Sequence, residues 1–145
     1  MLFSGLTKCK LDSNGRIKLP PKVIDDLLKD GNGEREIVLY CMSEGCLALF
    51  SQRTWAVIRS KAETETPDLL NDEELRRRSR RIAANTQSQD ISPQGRLTIP
   101  GMFREKLGFK DGEDVIIAGN ERGFEIWTEA GWANEETIKL NERKA

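Results

Sequence analysis

Apolar and polar residues alternate over short stretches of this chain, and the stretches come in pairs around turn-forming residues. Thr7, Cys9 and Leu11 alternate with Lys8 and Lys10, and Ile17 and Leu19 alternate with Arg16 and Lys18; a period of two marks half-buried strands. Asn14-Gly15 lies between the two stretches, and both residue types tolerate the positive φ of a tight hairpin turn. Pro20-Pro21-Lys22-Val23-Ile24-Asp25-Asp26-Leu27-Leu28 follows. Proline is accepted at a helix start, and apolar positions three and four apart predict a short helix ending at Gly31. Ile37 to Met42 and Cys46 to Phe50 predict two further strands, so the unit reads ββαββ.

The plan is written twice. Gly15-Arg16-Ile17-Lys18-Leu19-Pro20 returns as Gly95-Arg96-Leu97-Thr98-Ile99-Pro100, and Leu47-Ala48-Leu49-Phe50-Ser51 with Trp55 returns as Phe124-Glu125-Ile126-Trp127-Thr128 with Trp132. The second copy predicts strands over Gln89-Asp90-Ile91-Ser92 and Arg96-Leu97-Thr98-Ile99 around a Pro93-Gln94-Gly95 turn. A helix from Pro100 to Leu107 ending at Gly108 follows, then strands over Val115 to Ala118 and Phe124 to Trp127. Repeated units this small bury little surface alone and are expected to pack on each other or on other chains. Between them, Ser51 predicts the cap of a helix through Trp55, Ile58 and Ala62 that breaks near Pro67. Asn71 with Glu74 predicts a capping box for a second helix carrying Leu75, Ile82 and Ala83, and Thr128 to Leu140 predicts a last capped helix. The division is a first repeat over 1–51, a helical connector over 52–87, a second repeat over 88–132 and a helical tail over 133–145.

Composition removes several classes of function. The 145 residues carry a net charge of -1 and contain no histidine, which excludes Ser-His-Asp and Cys-His catalysis and histidine-based metal sites. Cys9, Cys41 and Cys46 form no CxxC pair, so neither a disulfide framework nor a zinc site is expected. No cofactor and no catalysis are expected. No apolar run approaches the roughly twenty residues of a membrane span, and the N-terminus lacks a signal-peptide pattern; the expectation is a cytosolic protein with no membrane partner. Trp55, Trp127 and Trp132 read as core anchors.

Charge is concentrated at the first hairpin. Lys8, Lys10, Arg16, Lys18 and Lys22 face a single acid, Asp12. A two-stranded ribbon enters the major groove of DNA, and arginine pairs there with guanine. On this reading Lys8, Lys10 and Lys18 sit on phosphates while Arg16, Arg96, Ser13 and Asn14 read base edges, joined by Gln94 of the second turn. Asp12 orients Arg16 or bonds its own turn. Ser92 stands where Asp12 does, so the charge pair cannot recur in the second loop. With four lysines about Arg16 and none about Arg96, the first loop is expected to lead. Arg76-Arg77-Arg78-Ser79-Arg80-Arg81 is a denser run, but it follows Asp72-Glu73-Glu74, the order that the helix dipole and pairs such as Glu73 with Arg77 favour. A structural or inter-subunit role is expected for it.

Tandem ββαββ units, each with a hairpin loop running into a Gly-Arg-apolar-x-apolar-Pro strand, resemble the MraZ family, bacterial transcriptional regulators built from two AbrB-like swapped-hairpin units. The resemblance rests on Phe3-Ser4-Gly5, Leu11 through Arg16, the Leu47 to Trp55 block, the arginine-rich connector, and Gln94-Gly95-Arg96 through Arg104. It implies an α+β, mainly β fold in which the two units pack as a pseudo-symmetric pair with connecting and C-terminal helices. It also implies that Asp12 and Arg16 form the first signature loop and that Arg96 belongs to the second. The implied partner is double-stranded DNA, at repeated boxes upstream of the protein's own cell-division and cell-wall gene cluster. A ring-like homo-oligomer larger than a dimer would bind it, in the cytoplasm at the nucleoid. Three departures stand out: Ser92, the missing arginine in Val23-Ile24-Asp25 that Phe103-Arg104 keeps, and Asn14 where lysine is common. The alternatives are an AbrB-type antitoxin, usually one unit with a disordered toxin-binding tail, and a structural or protein-interaction module whose arginine run binds an acidic partner.

Overall fold

The computed structural model describes residues 2–65 and 69–141; Pro67, where the sequence predicts a helix break, lies outside them. The first copy runs β1 (Leu6–Lys10), β2 (Arg16–Lys18), α1 (Pro21–Asp30), β3 (Glu36–Cys41) and β4 (Leu47–Ser51). The second runs β5 (Thr86–Asp90), β6 (Arg96–Thr98), α4 (Gly101–Leu107), β7 (Asp114–Gly119) and β8 (Phe124–Thr128). Helices α2 (Gln52–Glu65) and α3 (Glu73–Ala84), with a short 3-10 turn at Leu69–Asn71, connect them, and α5 (Glu129–Thr137) follows β8.

Local chemistry sets most of these boundaries. Pro20 and Pro100 precede α1 and α4, and Gly31 and Gly108 end them, Gly108 in the left-handed region at φ 73°. Ser51 Oγ accepts from Thr54 N at 3.0 Å and Thr128 Oγ1 from Gly131 N at 2.9 Å, so both predicted caps form. The predicted Asn71 capping box does not. Asn71 closes the 3-10 turn, and the next residue, Asp72, caps α3 by accepting from Leu75 N at 3.1 Å. Glu74 turns to Arg78 instead of reaching back.

The larger sheet has the order β1-β7-β8-β4-β3-β5 with every neighbour antiparallel. The two copies exchange their first strands: β1 pairs with β7 of the second copy, and β5 pairs with β3 of the first. The two predicted hairpins therefore keep their turns and lose their ladders; in the first, only the bridge Leu11 to Ile17 remains. An isolated two-stranded hairpin is marginal in water, whereas β1 laid on β7 shares a six-stranded sheet. The freed β2 and β6 pair with each other as a separate antiparallel ribbon, with Ile17 opposite Leu97.

This arrangement has a pseudo-two-fold axis. In the larger sheet Leu47 lies opposite Ile126 and Leu49 opposite Phe124, pairs that exchange under the repeat, leaving Ala48 and Glu125 on the axis. The ribbon obeys the same axis at Ile17 and Leu97. Its inner side chains enter one core with Leu11, Leu19, Leu27, Leu39, Leu49, Ile91, Ile99, Phe103, Ile117 and Ile126. On the other face of the sheet Trp55 of α2 stacks on Phe50 and packs on Tyr40, and Trp132 of α5 packs edge-on against Trp127. Of the three predicted core anchors only Trp127 is buried; Trp55 and Trp132 are half-buried and hold α2 and α5 to the sheet. None of the three cysteines is bonded, and burial pushes each thiol above its ordinary pKa, Cys46 most strongly. Among the described residues, no helix is long and apolar enough to cross a membrane.

The central seam leaves no room at Gly123, where an added Cβ would run into the Leu49 carbonyl oxygen and lie 2.9 Å from the Phe50 ring. Backbone cannot yield as a flexible side chain can. Gly123→Ala is expected to destabilise the fold by about 1–3 kcal/mol, the usual range for overpacking, read from the urea midpoint; an unchanged midpoint would show that the seam opens freely.

Candidate nucleic-acid interface

The two loops at the ends of the ribbon share one backbone design. Asp12 N donates to Arg16 O at 2.9 Å and Gly15 N to Asp12 O at 3.1 Å; Ser92 N donates to Arg96 O at 2.9 Å and Gly95 N to Ser92 O at 2.9 Å. Gly15 and Gly95 take φ of 74° and 82°, a region open to glycine without steric cost. Each loop is tied to the other copy: Leu19 N donates to Gly95 O at 2.9 Å and Ile99 N to Gly15 O at 2.8 Å.

Side chains complete the turns in unequal ways. Asp12 Oδ1 accepts from Asn14 N at 2.8 Å and Arg16 N at 2.9 Å, while its Oδ2 accepts from Arg16 Nε at 3.3 Å. Both roles read for Asp12 are thus present. Ser92 Oγ accepts from Arg96 N at 3.0 Å, reproducing the turn bond without a charge for Arg96. Arg16 N–H holds the Asp12 carboxyl below the usual carboxylate range, helped by Asn14 N–H and the Arg16 charge.

Strand register decides which cations share a surface. Arg16 lies opposite Thr98 and Lys18 opposite Arg96, and with Ile17 and Leu97 turned inward the four face outward together. Cross-strand neighbours sit about 5 Å apart at Cβ, so Lys18 stands directly beside Arg96, with Arg16 two residues along the same face. Neither Lys18 nor Arg96 makes an ion pair among the described residues. Ser13, Asn14 and Gln94 are exposed at the loop tips.

Lys8 and Lys10 lie elsewhere. Lys8 is in register with Ile116, which belongs to the outer cluster with Trp127 and Trp132, and its ammonium bonds Glu129 of α5 at 3.0 Å. Lys10 shares that face, opposite Asp114. Lys22 is bound to Asp26 at 2.9 Å. Of the four lysines assigned to the first loop from the sequence, only Lys18 lies on the ribbon, and it stands at the second loop's end. The connector arginines behave as the helix-dipole argument predicts: Arg77 pairs with Glu73 at 2.9 Å and Arg78 with Glu74 at 3.6 Å.

Two arginines outside the predicted set touch the loops. Arg35 Nε and Nη2 donate to the carbonyls of Ile91 at 2.9 Å and Ser92 at 2.6 Å. Arg104 packs against Gly15 and donates from Nε to Ile99 O at 3.0 Å. Arg35 carries no local signal, since its targets lie 56 and 57 positions along the chain; Arg104 is visible only as the arginine that the first copy lacks.

Strand exchange about a pseudo-two-fold, with paired glycine loops on a shared ribbon, defines the class of tandem swapped-hairpin proteins. A family model described as "MraZ protein, putative antitoxin-like" matches residues 2–75 and 82–143, and the chain belongs to that family. The protein named "Transcriptional regulator MraZ" from Nitrosomonas europaea is 30% identical over 131 residues, covering 90% of this chain and 84% of its own. Proteins of the same name from Thioalkalivibrio sulfidiphilus and Dechloromonas aromatica are 28% identical, covering 90% and 94% of this chain and 83% and 88% of their own. These are names of transcription regulators and not of enzymes.

Because the Asp12 carboxyl is held low, its contribution to the first turn is complete above the ordinary aspartate pKa of about 3.9. It declines as the pH falls below that value and is gone once the pH passes under the lowered native one. Ser92 does not titrate. The Asn14 and Arg16 amide resonances should therefore titrate together with a midpoint below the ordinary value, while the Arg96 amide stays flat. A shared midpoint for Arg16 and Arg96 would contradict the assignment.

Proposed function

We propose that this chain is a sequence-specific DNA-binding transcriptional regulator, with the β2/β6 ribbon and its two loops as the reading surface. The observation that carries the proposal is the outward face of the ribbon, where Arg16, Lys18 and Arg96 stand together and the latter two have no acidic partner among the described residues. Two strands about 4.8 Å apart fit a major groove about 12 Å wide. From Gly15 to Leu19 the ribbon rises four residue steps of about 3.3 Å, so the loops are roughly 13 Å apart at their bases. Arg16 and Arg96 take base edges, with Ser13, Asn14 and Gln94 at the tips, and Lys18 takes phosphate. Lys8 and Lys10, on the far face, add only to the overall field.

A single ribbon offers few contacts, and useful affinity requires several ribbons engaging several boxes through one assembly. The proposal therefore includes a ring-like homo-oligomer larger than a dimer, acting in the cytoplasm at the nucleoid on repeated boxes upstream of its own cell-division and cell-wall gene cluster. Leu2 and Leu6, 72% and 59% exposed beside the free edge of β1, supply apolar surface for such contacts.

Purified protein titrated with duplex DNA from its own upstream region, against a scrambled duplex, tests the reading. Arg16→Ala and Arg96→Ala should each lose about 1–3 kcal/mol of binding, and Lys18→Ala should lower the slope of log affinity against log salt by about one. The even split replaces the first-loop dominance expected from the sequence, because Lys18 serves the second loop. Equal affinity for both duplexes with a flat salt response would overturn the proposal. Sedimentation at micromolar concentration should give a mass above that of a dimer.

A further inference from the structure

Each loop is fastened by an arginine of the opposite copy, and the two arginines come from positions that the repeat does not relate. Under the first loop, a Cβ added at Gly15 would lie 2.6 Å from Arg104 Cζ and 2.7 Å from its Nε. The guanidinium is held against the loop backbone by the bond from Nε to Ile99 O at 3.0 Å, with Asp111 3.8 Å from Nη1. Ile99 N in turn donates to Gly15 O at 2.8 Å. Helix α4, Ile99 and the first loop thus form a closed circuit.

At the repeat-related place under the second loop stands Ile24, whose Cδ1 would lie 2.9 Å from a Cβ at Gly95. It fills space but fastens nothing. The second loop is held from another side, by the two bonds from Arg35 to the Ile91 and Ser92 carbonyls. Backbone pairing aligns Arg35 with Glu113: Ile91 N donates to Arg35 O at 2.9 Å, and Leu11 N to Glu113 O at 3.0 Å. At the first loop Gly112 N bonds the Leu11 carbonyl at 2.8 Å instead.

We propose that Arg104 and Arg35 are positioning residues, each holding the reading loop of the other copy in its DNA-competent conformation, Arg104 the first loop and Arg35 the second. This rests on the DNA-binding reading above. Arg35 spends two donors on the Ile91 and Ser92 carbonyls, and Arg104 spends one on the carbonyl of Ile99, whose N–H holds the first loop at Gly15 O. Their effect on DNA passes through Arg16 and Arg96. A loop ordered before binding loses less conformational freedom when it docks.

The test uses the full chain with Arg104→Ala, Arg35→Ala, Arg104→Lys and the double variants with Arg16→Ala and Arg96→Ala. Both positions are partly exposed, and retained thermal transitions would confirm folding. Amide exchange should quicken at Gly15 and Arg16 in Arg104→Ala and leave Gly95 and Arg96 unchanged; Arg35→Ala should do the reverse. Each single variant is expected to weaken duplex binding about tenfold, on the scale of one charge-assisted bond, without changing the salt slope, whereas a direct phosphate contact would lower that slope by about one. In double-mutant cycles Arg104 should couple to Arg16 and add independently of Arg96, with Arg35 the mirror case. Arg104→Lys, which keeps charge without the planar group, should rescue little.

A lowered salt slope, full rescue by lysine, or loosening of both loops alike would overturn the proposal. If the wild-type protein does not bind DNA, the DNA-binding reading fails while the exchange measurement still decides the bracing. Unchanged exchange in both variants would overturn the bracing itself.

Discussion

The contact between Ile17 and Leu97, fully buried and opposite each other on the pseudo-two-fold, is the constraint on which the rest of the structure depends. Two strands of three residues are too short to stand as a sheet of their own. They are held because their inner side chains enter the common core, and because Gly15 and Gly95 each accept a backbone bond from the far copy. That crossing obliges each copy to send its first strand away from its second, which is why β1 lies on β7 and β5 on β3. The exchange joins two halves that each lack a sufficient core into a single six-stranded sheet.

The same constraint makes the exposed surface. Once Ile17 and Leu97 point inward, the pleat leaves Arg16, Lys18, Arg96 and Thr98 no choice but to point outward. The loops are then bracketed by buried residues on both sides, Leu11 and Ile17 at one end and Ile91 and Leu97 at the other. Their tips are exposed, but their bases are anchored in the core. Asp12 and Ser92 show how loosely the tip chemistry is tied to the scaffold: a carboxylate and a hydroxyl accept from the same backbone position, Arg16 N and Arg96 N.

Much of this was legible in the residues themselves. The repeat fixed the element order, prolines and glycines bounded α1 and α4, and Ser51 and Thr128 announced their caps, since each signal acts within a few residues. Alternation identified which side chains of β1 and β2 turn inward, half-buried in β1 and fully buried at Ile17, but not which strand covers them, because period two is satisfied equally by a local hairpin and by an exchanged partner. That ambiguity misplaced Lys8 and Lys10, which share a stretch of sequence with Arg16 and the opposite face of the molecule. Asn71 lost the cap to Asp72 through a shift of one residue, set by the preceding 3-10 turn. Arg35 was invisible for a different reason, since a bond to a carbonyl 56 positions away leaves no trace in composition or spacing.

Covalent linkage of the two copies has a geometric consequence. A swapped-hairpin dimer of identical chains is bound by true two-fold symmetry to display the same loop twice, and its natural target is a palindrome. Here the axis is approximate, and residues related by it have already parted company: Asp12 from Ser92, Ile24 from Arg104, Lys18 from Thr98. The ribbon therefore has a head and a tail. Under the DNA-binding function proposed above, a surface with direction would call for a target with direction, an asymmetric site in place of a palindrome.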